Sequence, residues 1–108
     1  MDRNSKIVCE VYLDFIRAKA CCACGAPAPS SPDHLKARGG GSGKQNDFTA
    51  IPLCIPCHSL RQVSLTAEFN ARFKIDVWQE ATWCMIEFFA VMVRRAVPYT
   101  IGKSHRML

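Results

Sequence analysis

Apolar residues recur at helical spacing near the start of the chain: Ile7, Val8, Val11, Tyr12, Phe15 and Ile16, with Glu10, Asp14 and Arg17 between them. Positions three and four apart share one face of a helix, so the pattern predicts an amphipathic helix over residues 5–19. Its stripe is expected to face the core, and Asn4 or Ser5 suits its N-cap. The periodicity then stops. Residues 20–32 are Cys, Ala, Gly, Pro and Ser, and Pro27, Pro29 and Pro32 exclude a regular helix. Two runs long enough for short strands follow: Asp33-His34-Leu35-Lys36, and Phe48 to Leu53. A glycine- and charge-rich loop, residues 37–47, separates them.

Helical spacing resumes at His58 and holds through Val63. Ser64-Leu65-Thr66 interrupts it, with Thr66 the expected cap of a stretch that carries Phe69 and Phe73. Asp76 is the expected cap of a long segment that reaches Val97, where Pro98 ends it. On that segment Trp78, Thr82, Met85, Phe89, Met92 and Ala96 share one face, and Val77, Ala81, Cys84, Phe88 and Val91 broaden it. So wide a stripe has two explanations. The helix packs across the whole domain, or residues 77–96 also form a homodimer interface. Residues 99–108 read as a basic, frayed tail.

The chain has 108 residues, which argues for one domain with a modest core, where a metal staple adds stability. A formal charge of +5 and a pI near 9.0 favour a polyanionic partner such as DNA. The longest apolar run, Ala81 to Val93, is broken by Glu87 and too short to span a bilayer, so no membrane is expected. The polar start, Met1-Asp2-Arg3-Asn4-Ser5-Lys6, is not a signal peptide, which points to a cytoplasmic, reducing compartment. The seven cysteines are then thiols or thiolates rather than disulfides.

Four of them carry the clearest chemistry. Cys21-x-x-Cys24-Gly25 and Cys54-x-x-Cys57 stand about thirty residues apart, a spacing suited to one structural Zn²⁺. Each pair puts two thiolates on one tight turn, and Gly25 lets the backbone fold back over the metal. Cys22 reads as a bystander. The loop Gly39-Gly40-Gly41-Ser42-Gly43-Lys44 is not a nucleotide-binding loop, because Arg38 stands where the first glycine should be and Gln45 replaces the Ser or Thr. Lys36, Arg38 and Lys44 are instead available to phosphates. Asp33-His34 and His58 exceed what a zinc knuckle needs. An acid can hold Mg²⁺ while a neighbouring imidazole takes a proton from water, the pairing a one-metal phosphodiesterase requires.

The run from Tyr12-Leu13-Asp14-Phe15-Ile16-Arg17 through Cys21-x-x-Cys24-Gly25, Asp33-His34-Leu35-Lys36, the Gly39–Gly43 loop and Asp47-Phe48-Thr49-Ala50-Ile51-Pro52-Leu53-Cys54-x-x-Cys57-His58 resembles the small HNH (His-Me finger, ββα-metal) endonucleases. The likeness is to their phage and prophage branch of recombination-associated nucleases, which includes the RecA-dependent nuclease Ref. It covers about half the chain and is loose over residues 64–108. It implies an α+β fold: a zinc-stapled ββα-metal core over residues 20–63, flanked by the N-terminal helix and by C-terminal helices over residues 64–98. It also implies hydrolysis of DNA, with His34 as general base, and Asp33, His58 and Gln62 around a catalytic Mg²⁺ or Mn²⁺. Lys36, Arg38, Lys44 and Arg61 are the expected nucleic-acid contacts, and a recombination protein is an expected partner. Two positions depart from the pattern. Gln62 stands where a further His is usual, and Thr49 stands near the middle Asn. Two functions therefore stay open: a DNA endonuclease or nickase, and a zinc-stapled module that binds DNA or a partner without cutting.

Overall fold

Two four-residue strands pair antiparallel at the centre of the molecule: β1, Ser31–His34, and β2, Ala50–Leu53. The computed structural model describes residues 6–35 and 46–96. Within these, α1 (Glu10–Arg17) precedes the hairpin, a 3₁₀ turn (Asp47–Thr49) leads into β2, and α2 (Ile55–Val63), α3 (Thr66–Phe73) and α4 (Val77–Ala96) follow. The architecture is a small mixed α+β fold. The register places Ser31 opposite Leu53, Asp33 opposite Ile51 and His34 opposite Ala50.

All four residues of β2 are buried, so both faces of this small sheet are covered. Successive strand residues point to opposite faces. Ile51 and Leu53 pack with Cys21, Leu35, Cys57, Phe69, Val77 and Ala81. Ala50 packs on the other side with Tyr12, Leu13, Ile16, Cys84 and Phe88. In that second cluster the Tyr12 ring meets Phe88 edge-on at 4.9 Å and Phe48 at 4.9 Å, contacts worth about 0.5–1.5 kcal/mol each beyond their buried area. α4 contributes to both clusters through Val77, Ala81, Cys84 and Phe88, so one helix closes the whole core.

Several element details differ from the sequence expectation. α1 is shorter than residues 5–19. Val8 and Val11 are exposed, and the buried face is Tyr12, Leu13 and Ile16. Ile7 instead forms a parallel bridge with Asn46. Leu65 rather than Thr66 precedes the first turn of α3, and its N–H donates to Glu68 Oε1 at 3.3 Å. Asp76 does cap α4, its Oδ1 accepting from the N–H groups of Trp78 and Gln79. On α4 the stripe that broadens the apolar face is the buried one. Trp78, Trp83, Ile86, Phe89 and Val93 are exposed. Among the described residues no helix is long and apolar enough to cross a membrane. Asn4, Ser5, the glycine loop, Val97, Pro98 and the tail 99–108 lie outside the described residues.

Candidate metal centre and hairpin site

The hairpin and the start of α2 bring the two cysteine pairs together. One knuckle is Cys21–Cys24, where Gly25 has φ +81, a left-handed conformation that suits glycine, and its N–H donates to Cys21 O at 3.0 Å. Cys22 N–H donates to Pro52 O at 2.9 Å, which ties this knuckle to β2. The second pair straddles the first turn of α2, with Cys54 preceding the helix and Pro56 in its first turn. The ligand atoms of Cys21, Cys24, Cys54 and Cys57 all lie within 4.8 Å of one another, and the Cys24 and Cys54 sulfurs are 3.6 Å apart. Four thiolates about 2.3 Å from a tetrahedral Zn²⁺ stand about 3.8 Å apart, so the cluster fits a structural metal such as zinc.

The thiols of the two neighbours Cys21 and Cys22 behave oppositely. Burial raises Cys21, but the N–H groups of Cys24, Cys54 and Ala23 point at its sulfur and outweigh burial, bringing it to about 6. Burial pushes Cys22 up to about 12, with Glu80 adding to the effect. What separates ligand from bystander is position: the Cys21 sulfur lies within the four-cysteine cluster, and Cys22 packs against the core outside it.

The period of two then divides the Asp33-His34 pair between the faces of the sheet. Ser31 and Asp33 face α2. His58 Nδ1 lies 3.0 Å from Ser31 Oγ, and its Nε2 lies 3.8 Å from Asp33 Oδ1. Asp33 is 1 % exposed, and both its oxygens are engaged by Arg61. Arg61 Nε donates to Oδ2 and Nη2 donates to Oδ1 at 2.7 Å, a two-pronged guanidinium–carboxylate pair. Nη2 also approaches His34 O at 3.4 Å.

His34 faces the other way. Its Nε2 lies 2.8 Å from Asp47 Oδ1. Asp47 is buried, and its Oδ2 accepts the Cys9 N–H at 2.7 Å. Burial would raise the Asp47 carboxyl, but the Cys9 N–H and the His34 ring outweigh it and hold the acid below its usual range. Thr49 sits beside this pair, its Oγ1 2.9 Å from Leu35 O and 2.8 Å from Asn46 O. It ties the end of β1 to the start of the 3₁₀ turn.

The expected Mg²⁺ or Mn²⁺ ligands are thus only partly assembled. Asp33 and His58 meet on one face of the sheet. Gln62 is exposed on α2, and both Asp33 oxygens already accept from Arg61. Among the described residues the four cysteines are the one metal-sized group of His, Cys, Asp and Glu ligands. The donors as arranged do not fit a second cation. Arg61, expected to contact nucleic acid, spends two of its nitrogens on Asp33. Lys36, Arg38 and Lys44 lie outside the described residues. Sequence reasoning gave no role to Asp47 or Ser31. Asp47 reaches His34 across a 13-residue separation, and no periodicity or spacing signals such a contact.

No curated protein and no solved structure matches the chain. A family model does, over residues 2–81, a span that takes in α1, both cysteine pairs, the hairpin, α2, α3 and the first turn of α4. The chain therefore belongs to the family described as Protein of unknown function (DUF968).

Proposed function

We propose that this chain is an HNH-type nuclease that hydrolyses phosphodiester bonds in DNA. The single observation that carries the reading is the His34–Asp47 pair, an imidazole at the end of β1 held at 2.8 Å by a buried carboxylate. With Asp47 accepting from Nε2, the proton sits on that nitrogen and Nδ1 is the basic site. Nδ1 takes the proton of the attacking water as the water oxygen bonds to phosphorus, and the P–O bond to one sugar oxygen breaks, that oxygen leaving with a proton from solvent.

The cysteine cluster, loaded with Zn²⁺, holds the hairpin against α2, so that His34 and Arg61 keep fixed positions on the two faces of β1. Positive charge for the phosphate comes from Lys36, Arg38 and Lys44, which the sequence places next to the hairpin. The proposed setting, taken from the resemblance to phage recombination nucleases, is a bacterial host cytoplasm with a recombination protein as partner. The exposed apolar side of α4 is the surface for a second copy of the chain. The test is nicking of supercoiled plasmid by the purified protein. His34→Ala should lower the rate by about 10²–10⁴ while leaving the fold intact. Nicking that survives His34→Ala refutes the assignment.

A second reading, a zinc-stapled module that binds DNA without cutting, is favoured by the Arg61–Asp33 pair, which fills the position of a catalytic cation with a side chain. It predicts salt-dependent DNA retention with no nicking under any metal condition.

A further inference from the structure

The α2 face of the hairpin holds a buried carboxylate, an imidazole and a guanidinium within one small cluster. A carboxylate as enclosed as Asp33 needs a positive partner, since an ionised acid without one is strongly disfavoured away from water. A divalent ion or a side chain can serve. Here a side chain does: the planar fork of Arg61 spans both carboxylate oxygens, a geometry that ammonium groups and single donors do not reproduce. Arg61 lies three residues after His58 on α2, so the two side chains project from the same face of the helix. An ion placed between Asp33 Oδ1 and His58 Nε2, which are 3.8 Å apart, would need the oxygen that Arg61 Nη2 already occupies. It would also stand against a guanidinium that does not lose its proton. Gln62 is exposed, so water would complete the coordination of an ion there, and Arg61 is the group that keeps it out.

We infer that Arg61 is the resident cation of the Asp33–His58 site, so that the chain carries its metal at the four cysteines and takes up no divalent ion at Asp33. The inference rests on reading the hairpin as a hydrolytic site. On that reading the Asp33 carboxylate is already balanced by a guanidinium, and cutting does not depend on Mg²⁺ or Mn²⁺ supplied to this position.

The experiment is a Mn²⁺ titration of the zinc-loaded full chain, following the electron paramagnetic resonance signal of free Mn²⁺. The wild-type protein is expected to take up none at submillimolar ion. Arg61→Gln should gain one Mn²⁺ per chain, at least tenfold tighter than any wild-type uptake, with a melting temperature that rises with Mn²⁺. The double variant Asp33→Asn/Arg61→Gln should lose that gain. If Arg61→Gln does not fold, Arg61→Lys replaces it. That variant keeps the charge but gives up the fork, and should show a smaller gain. Wild-type uptake of one Mn²⁺ that Asp33→Asn abolishes overturns the inference. So does an Arg61 variant, folded by circular dichroism, that binds no more Mn²⁺ than wild type. Plasmid nicking on the same samples tells the two readings apart: absence of nicking removes the hydrolytic reading and leaves the Mn²⁺ result to stand on its own.

Discussion

Replacing Asp47 by Ala tests the bracket that joins the N-terminal segment, the hairpin and the candidate base. Asp47 Oδ2 accepts the Cys9 N–H at 2.7 Å, and Oδ1 lies 2.8 Å from His34 Nε2. A hydrogen bond to a charged group contributes about 1.5–3 kcal/mol. The His34 side chain is 21 % exposed, so water replaces part of its lost bond, whereas the Cys9 amide loses the acceptor that anchors the chain ahead of α1. The expected cost is then about 2–4 kcal/mol, a large share of the roughly 5–15 kcal/mol that holds a domain folded. At about 4 °C per kcal/mol for a chain of this size, the melting temperature should fall by about 8–16 °C. The assay is thermal unfolding followed by far-ultraviolet circular dichroism, with ¹⁵N NMR of the His34 ring on the same samples. Asp47→Asn, which keeps one carbonyl oxygen, should fall between the two. The pH dependence has a definite sign. Asp47 titrates lower in the folded protein than in the unfolded chain, so its contribution is complete above the usual carboxylate range and is lost as pH falls through the folded value. Wild type should therefore lose its advantage over Asp47→Ala in acid. A melting temperature within about 3 °C of wild type, at neutral pH, would refute the bracket.

Metal analysis should find one Zn²⁺ per chain. Cys54→Ser should lower that content toward zero and unfold the domain, while Cys22→Ser should leave it unchanged. Lys74 ends α3 with φ 57, the left-handed region that glycine occupies freely, so Lys74→Gly should stabilise the protein by about 0.5–1 kcal/mol in denaturant melts, and a loss of stability would count against that strain. Trp83 is 54 % exposed and lies with Ile86 and Val93 on the outer side of α4, so sedimentation at high micromolar concentration should give a dimer mass that Trp83→Glu reduces to monomer; a monomeric wild type would leave this face without the proposed partner. Breaking the Arg61–Asp33 pair in Asp33→Ala should strand a guanidinium that is only 15 % exposed and destabilise the fold by about 3–5 kcal/mol, again read from the melting curve.

The cysteine cluster was legible in the chain alone, because two C-x-x-C turns carry their own geometry and need only a strand and a helix to bring them together. The helical stretches were legible for the same local reason, since apolar spacing of three and four residues is a property of neighbours along the chain. Their buried faces were not. α4 has apolar residues around most of its circumference, and only packing against Tyr12, Phe69 and the hairpin selected Val77, Ala81, Cys84 and Phe88 as the buried stripe. Val11 fits the apolar pattern of α1 and yet is exposed, because nothing among the described residues packs over that side of the helix. The candidate chemistry divides along the same line. Asp33 and His34 stand out in sequence as an acid–imidazole pair, but the alternation of a strand sends one to α2 and the other to the 3₁₀ turn. Their real partners, Arg61 and Asp47, lie 28 and 13 residues away. Hydrogen bonds between side chains so distant along the chain depend on the register of β1 against β2 and the seating of α2. Both are set by burial of Ile51 and Leu53 and by the convergence of the two cysteine pairs, and no local signal encodes them.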